Sequence, residues 1–162
     1  MTDPEVATTA PTIEELEAQE RRLVLPAADL ATLHALGRHL YDAAVERGLP
    51  LTIQLRLGER LVFSASAPGS TAVNERWADR KARVVRFFEH SSLLVRRIHE
   101  RDGIDVNATH SLPVERFAAH GGAFPLRVAS VGFVGSVVVS GLPQVEDHLF
   151  VVETLDAFIA DR

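Results

Sequence analysis

The chain has no cysteine. That absence removes a disulfide framework, thiolate metal sites, iron–sulfur ligation and a cysteine nucleophile together, and it fits a reducing compartment. Lysine is almost missing too, since Lys81 is the single lysine among 17 basic residues. No apolar run approaches the roughly 20 residues that span a bilayer. The start, Met1-Thr2-Asp3-Pro4-Glu5, lacks the positive and apolar regions of a secretory signal. A cytoplasmic protein with no membrane partner is therefore expected. No Gly-x-Gly-x-x-Gly follows a strand and no Walker loop occurs, which argues against a doubly wound nucleotide fold. Gly-x-Ser-x-Gly and His-Glu-x-x-His are also missing, so neither a nucleophile elbow nor a local zinc motif is present.

What remains is globular. The 162 residues are 46% hydrophobic and 24% charged, enough for one domain that needs no staple to hold its core. The net charge of −5 is unevenly placed: residues 1–20 carry six acids and no base, leaving 16 acids against 17 bases in the rest. A body so close to neutral implies no nucleic-acid partner. Thr12 and Glu15 form a capping-box pattern that predicts a short helix over about 12–22. Residues 1–24 then read as an acidic tail with a short helix, and 25–162 as a single domain.

Leu30, Leu33, Leu40, Tyr41 and Ala44 predict a helix over about 27–47, stopped by Gly48 and Pro50. The period changes to two at Leu51, Ile53, Leu55 and Leu57. With Gly58-Glu59 as a two-residue turn, a returning strand follows through Leu61, Phe63 and Ala65. Helices are expected from Thr71 to about Glu89 and from about 92 to Glu100, then a short strand around 104–108. Two valine-rich strands, about 126–131 and 133–140, precede a final helix from Pro143. Val145, Leu149, Val152 and Ile159 are its expected apolar stripe. Tight turns join adjacent strands, so the class is α+β with a mainly antiparallel sheet and helices packed on it.

The helix over 71–89 is the most unusual segment. Helical spacing puts Val84, Trp77 and Phe88 on one apolar arc, bracketed by Arg80 and Lys81, with Glu75, Asp79, Ala82, Arg86 and Glu89 facing solvent. Long cationic side chains at the rim of an apolar surface explain this pattern. So does an anion pocket or interface in which Arg80 grips a carboxylate with two hydrogen bonds. His120 precedes Gly121-Gly122, where a sharp turn can present amides; a plain glycine turn leading into the next strand explains it as well. His34 shares a helical face with Leu30 and Tyr41, where a hydrogen-bonded core histidine is commoner than a haem or metal ligand. No metal site and no catalytic triad emerge.

Four segments occur in one order: Trp77-Ala-Asp-Arg80-Lys81; Phe87-Phe88-Glu-His90-Ser91-Ser92-Leu93; His120-Gly121-Gly122-Ala-Phe124-Pro125; and Val139-Ser140-Gly141-Leu142-Pro143-Gln144-Val-Glu146-Asp147-His148. Together they resemble the haem-degrading-domain family related to GlcG, HbpS and the PduO C-terminal domain. The closer likeness is to a branch marked by Trp-x-x-Arg-Lys and His-Gly-Gly-x-Phe-Pro. The resemblance covers about residues 25–160. It implies a profilin-like α/β/α arrangement with a five-stranded antiparallel sheet, helices on both faces and assembly into homo-oligomers. It also implies haem or another tetrapyrrole as the candidate cofactor, with His34 as a geometric candidate for the haem ligand. Trp77, Arg80, Lys81, His90, Ser91, Ser92, His120, Gly121, Gly122, Phe124 and Pro125 are the ligand-binding candidates, suited to a small anionic, partly flat ligand. Two other classes stay open. One is a non-catalytic oligomeric scaffold; the other is a hydrolase or lyase using His120 and the Ser91-Ser92 turn.

Overall fold

The capping box at Thr12 forms as the spacing predicts. Its hydroxyl accepts from the Glu15 N–H at 3.2 Å, and the Glu15 carboxylate accepts from the Thr12 N–H at 2.7 Å, opening α1 (Ile13–Arg22). The computed structural model describes residues 8–162, so the acids Asp3 and Glu5 of the N-terminal tail lie outside the described residues. Leu16 of α1 packs on Leu93 and Leu94, which supplies the tertiary support that so thin an apolar side requires. Helix α2 (Leu30–Glu46) starts three residues later than its apolar spacing predicts. Asp29 caps it, accepting from the N–H and hydroxyl of Thr32 at 2.8 and 2.9 Å.

Strands β1 (Thr52–Leu57) and β2 (Arg60–Ser66) form the expected hairpin, with Gly58 at φ +58° in its two-residue turn. Helices α3 (Ala72–Phe88) and α4 (Ser92–Asp102) follow, the latter closed by Gly103 at φ +67°. The expected strand around 104–108 is instead a short helix, α5 (Val106–His110). Asp105 decides this by accepting from the Ala108 N–H at 2.7 Å as an N-cap. Strand β3 (Ala123–Val128) begins three residues before the predicted start, and β4 (Gly132–Ser140) returns beside it. Helix α6 (Gln144–Ala160) closes the chain, with Pro143 at its N-cap.

The sheet has the order β2-β1-β4-β3 and is antiparallel throughout. Among the described residues it has four strands, not the five implied by family resemblance. Where a fifth would lie, Leu25 makes a single parallel bridge to Val128, donating to the Arg127 carbonyl at 2.8 Å. Pro26 follows at once and has no N–H with which to extend the ladder.

Helices α2 and α6 cover one face of the sheet and α3 the other. The first face carries the main core, including Leu33, Leu36 and Leu40 of α2, Leu51, Ile53 and Leu55 at the start of the hairpin, and Val151 and Leu155 of α6. Two expected faces are corrected. In α3, Ala82 is buried with Ala78 and Val85 instead of facing solvent. The rotation that buries these small residues brings Lys81 fully inward with them. In α6, only Val152 of the expected stripe is buried. The inward face is Asp147, His148, Phe150, Val151, Thr154, Leu155 and Phe158, because the helix serves two neighbours at once.

Candidate functional site

Lys81 and Asp147 meet beneath α3, both 2% exposed, with Nζ donating to Asp147 Oδ2 at 3.0 Å. Nζ also donates to the carbonyls of Gly121 at 3.0 Å and Val139 at 2.7 Å. Three acceptors require three protons, so the group is an ammonium, and Asp147 Oδ1 is filled by the Leu142 N–H at 3.0 Å. Burial pulls Lys81 below its usual range and pushes Asp147 above it, each opposed by the other's charge. The caged geometry keeps both ionised.

Gly121 and Gly122 thread the chain through this cage. A Cβ on Gly121 would strike the Gln144 carbonyl at the start of α6. Gly122 has φ +124°, and a Cβ there would lie 2.6 Å from Lys81 Nζ and 2.5 Å from the Val139 carbonyl. These glycines make room for an internal ion pair, and the adjacent residue, His120, emerges at its rim.

There the His120 ring meets Trp77 edge-on, with centroids 5.0 Å apart and planes at 77°. The Arg80 guanidinium stacks over the other part of this group, its carbon 4.4 Å from the Trp77 ring centroid, and donates to the Val114 carbonyl at 2.7 Å. Arg80 Nε is shielded and has no hydrogen-bond partner among the described residues. His120 forms a wall common to two recesses. One, of about 380 Å³, is also lined by Arg80, Arg96, His99, Asn107 and Phe117; the other, of about 240 Å³, by Trp77, Ser140 and Gln144. Burial pulls the His120 pKa below the usual histidine range, and the charges of Arg96, Lys81 and Arg80 add to the shift. Its imidazole is thus neutral near pH 7, with one nitrogen able to donate and one able to accept. A separate recess by Arg56, Asp79 and Arg86 is crossed by the Arg56–Asp79 and Arg86–Glu59 ion pairs.

The other sequence candidates are engaged elsewhere. His90 Nδ1 lies 2.8 Å from Glu20 Oε2, and the Ser91 N–H donates to Glu20 Oε1 at 2.6 Å. Arg127 reaches the same carboxylate and the Glu89 carbonyl. Ser91 also caps α4, and Ser92 Oγ exchanges hydrogen bonds with both backbone groups of Ala123. Phe124 turns into the main core, and Pro125 of β3 lies opposite Ser136 of β4. His34 lies on α2, across the sheet from α3, and is exposed instead of buried in the core; its ring meets Phe63 edge-on at 5.4 Å. Sequence reasoning missed Arg96, His99 and Asn107, because α4, α5 and the following loop bring them to His120 only in three dimensions. In the sequence Asp147 was named only within the Val139–His148 segment, with no partner assigned to it. The signal that could have found it is its helical phase with Val151 and Leu155.

Haem can be tested against these residues. His34 and His120 are the two histidines whose ring nitrogens have no hydrogen-bond partner among the described residues. His34 stands on an open surface and lines none of the recesses described. His120 opens onto recesses at or below the small end of the roughly 300–1,000 Å³ usual for ligand pockets. The described residues of one chain therefore form no slot that encloses a tetrapyrrole. No group of three or more His, Asp or Glu among them is placed to hold a metal ion, and no helix among them is long and apolar enough to cross a membrane.

Residues 29–156 match the family model described as "Haem degrading protein HbpS-like". The chain is 47% identical over 153 residues to a UPF0303 protein of Streptomyces avermitilis, covering 94% of each. Among solved structures it is similar to the Ybr137w protein, with a TM-score of 0.83 and 28% identity, covering 93% of this chain and 90% of that one. The PduOC–haem complex shares the fold at a TM-score of 0.69 and 18% identity, covering 82% of this chain and 95% of that one.

Proposed function

This chain belongs to the HbpS-like haem-degrading protein family, and from that premise we propose that it binds a small anionic ligand in the recess between His120, Arg80 and Arg96. The observation that carries the reading is the group at the mouth of the Lys81 cage: a neutral, unpartnered imidazole against Trp77, with Arg80 stacked on the same indole. A carboxylate or phosphate there meets the Arg80 guanidinium, one imidazole N–H and the outer N–H groups of Arg96, whose Nε is held by Glu100 at 2.8 Å on the same wall, and the indole offers a face for a flat ligand. Lys81 adds positive potential from behind but has no proton left to give. The role assigned to it as a ligand contact passes to Arg96. The size of the recess favours a small carboxylate or phosphate over a whole tetrapyrrole.

Trp77 is the only tryptophan, so its fluorescence reports this site directly. Small mono-, di- and tricarboxylates and inorganic phosphate, titrated in turn, are expected to give a saturable change that Arg80→Ala or His120→Ala weakens at least tenfold. A linear response to every anion, matching ionic strength alone, would overturn the reading. Hemin titrated into the same protein is expected to bind weakly. A stoichiometric Soret complex abolished by His34→Ala would replace the small-anion reading with a haem one.

The second reading is an oligomeric interaction protein without chemistry. Strand β2 is an open edge of the sheet, and Leu61 upon it and Leu30 on the neighbouring α2 are each 47% exposed. Such a border suits pairing with another copy of the chain. Light scattering at low micromolar concentration tests it, and a monodisperse 17.7 kDa monomer would remove it.

A further inference from the structure

Two more histidines meet where no local motif could announce them. His99 on α4 and His110 at the end of α5 are eleven residues apart, yet their Nε2 atoms lie 2.9 Å from each other. His99 Nδ1 is 2.7 Å from the Val95 carbonyl, which can only accept. Nδ1 therefore carries the proton of neutral His99, and its Nε2 points a bare lone pair at His110. His110 Nε2 supplies the single proton between the rings. A histidine anchored through one nitrogen to a backbone carbonyl, with the other nitrogen presented as a lone pair, is the orientation of metal-bound imidazoles.

From this geometry we infer that His99 and His110 form a two-imidazole site for a borderline divalent transition-metal cation such as Cu²⁺, Ni²⁺ or Zn²⁺. Metal–nitrogen bonds of about 2.0–2.1 Å with cis angles between octahedral and tetrahedral put the two nitrogens roughly 2.9–3.4 Å apart. The observed separation falls at the short end of that interval, and binding turns the two rings so that their lone pairs aim at one shared point instead of along the line between them. Binding requires His110 to carry its proton on Nδ1 instead of Nε2. Solvent can exchange that proton because His110 is exposed, and no net proton is gained or lost. Phe88 stacks edge-on against both rings, at 4.9 Å from His110 and 5.7 Å from His99, and Phe87 meets His110 at 6.1 Å. These walls fix the ring planes and leave the outer coordination positions to water or an anion. Imidazole donors suit copper, nickel and zinc, whereas calcium and magnesium prefer oxygen. The absence of a third protein ligand among the described residues makes this an open site.

Tagless protein titrated calorimetrically with Zn²⁺, and separately with Ni²⁺, is expected to bind one ion per chain. His110→Phe keeps an aromatic ring against Phe88 but has no nitrogen, and it should weaken binding at least tenfold while leaving the circular dichroism unchanged. With Cu²⁺, the paramagnetic resonance of the wild type should show two coordinated nitrogens. His34→Ala should leave the stoichiometry unchanged. Binding that persists in His110→Phe, or no binding of any of the three ions at several hundred micromolar, would overturn the assignment.

Discussion

On the α2/α6 face the hairpin strand and its approach present Leu51, Ile53 and Leu55, and β4 presents Val137 and Val139, to leucines and phenylalanines from two helices. On the α3 face the intervening positions are Thr52, Gln54, Ser136 and Val138. They meet Ala78, Ala82, Val85 and the buried Lys81–Asp147 pair. The first face gains its stability from apolar area. The second has little such area, and its ordering rests on satisfied polar groups whose cost appears only when one partner is removed. The face with the thinner core also presents the unpartnered imidazole and the stacked arginine. A region that positions an imidazole and a guanidinium at its rim through a fixed ion pair gains a defined geometry, and it does so at the expense of hydrophobic stabilisation.

The sharpest way to break this contrast is Lys81→Met. It leaves the Asp147 carboxylate buried without its counter-ion and should cost ~3–5 kcal/mol, read from denaturant unfolding. The double change Lys81→Met, Asp147→Leu should recover most of that loss, because it removes both charges together. If the double variant is no better than the single one, the pair is not the organising element of that face. Leu40→Ala, buried at 0% exposure on the opposite face, should cost roughly 2–5 kcal/mol through lost burial and a cavity. No second substitution of a charged residue should rescue it.

Helix α6 serves both neighbourhoods, and pH separates them. His148 sits beside Asp147 in sequence but points toward Gln19, whose Oε1 lies 2.8 Å from its Nε2, while its Nδ1 is buried without a partner. Burial depresses its pKa to about 4. Between that value and an unfolded value of roughly 6.5, the unfolded chain takes up a proton that the folded chain refuses. The stability contributed by neutral His148 is therefore fully present above about pH 6.5 and falls by about 3 kcal/mol as pH drops toward 4. Thermal unfolding of wild type and His148→Gln across this window should differ in slope, with the variant flatter. Parallel slopes would assign the acid sensitivity to other groups.

The elements were legible in the sequence wherever a period or a cap announced them. Thr12 and Glu15, the alternation from Leu51 to Leu57, and Gly58-Glu59 all led to the structures observed. The failures share a cause. Helical phase at α3 was set by its largest residues, Trp77 and Phe88, whereas the sheet receives the smallest, Ala78 and Ala82, because a helix must come close for Lys81 to reach Val139. At the site, Trp77, Arg80 and His120 were legible as a family pattern. Arg96, His99 and His110 were not, since they converge only through the packing of α4 and α5. Asp105, the cap that sets α5, fell inside the strand expected around 104–108.

Arg80→Ala gives the smallest expected effect on stability and the finest test of the contrast, because Arg80 and Lys81 are consecutive cations with opposite fates. Arg80 is half-buried over Trp77, held by one hydrogen bond to the Val114 carbonyl. A surface cation–π contact contributes about 0.5–1 kcal/mol, and a single neutral acceptor adds a net amount of similar size. The substitution should therefore cost about 1–2 kcal/mol, below the loss at Lys81, while removing the anion-dependent change in Trp77 fluorescence. Urea melts with and without 50–100 fold excess phosphate separate the two quantities. If Arg80→Ala instead unfolds the chain as readily as Lys81→Met, the outer cation is part of the scaffold. The proposed recess would then have lost the guanidinium on which its anion reading rests.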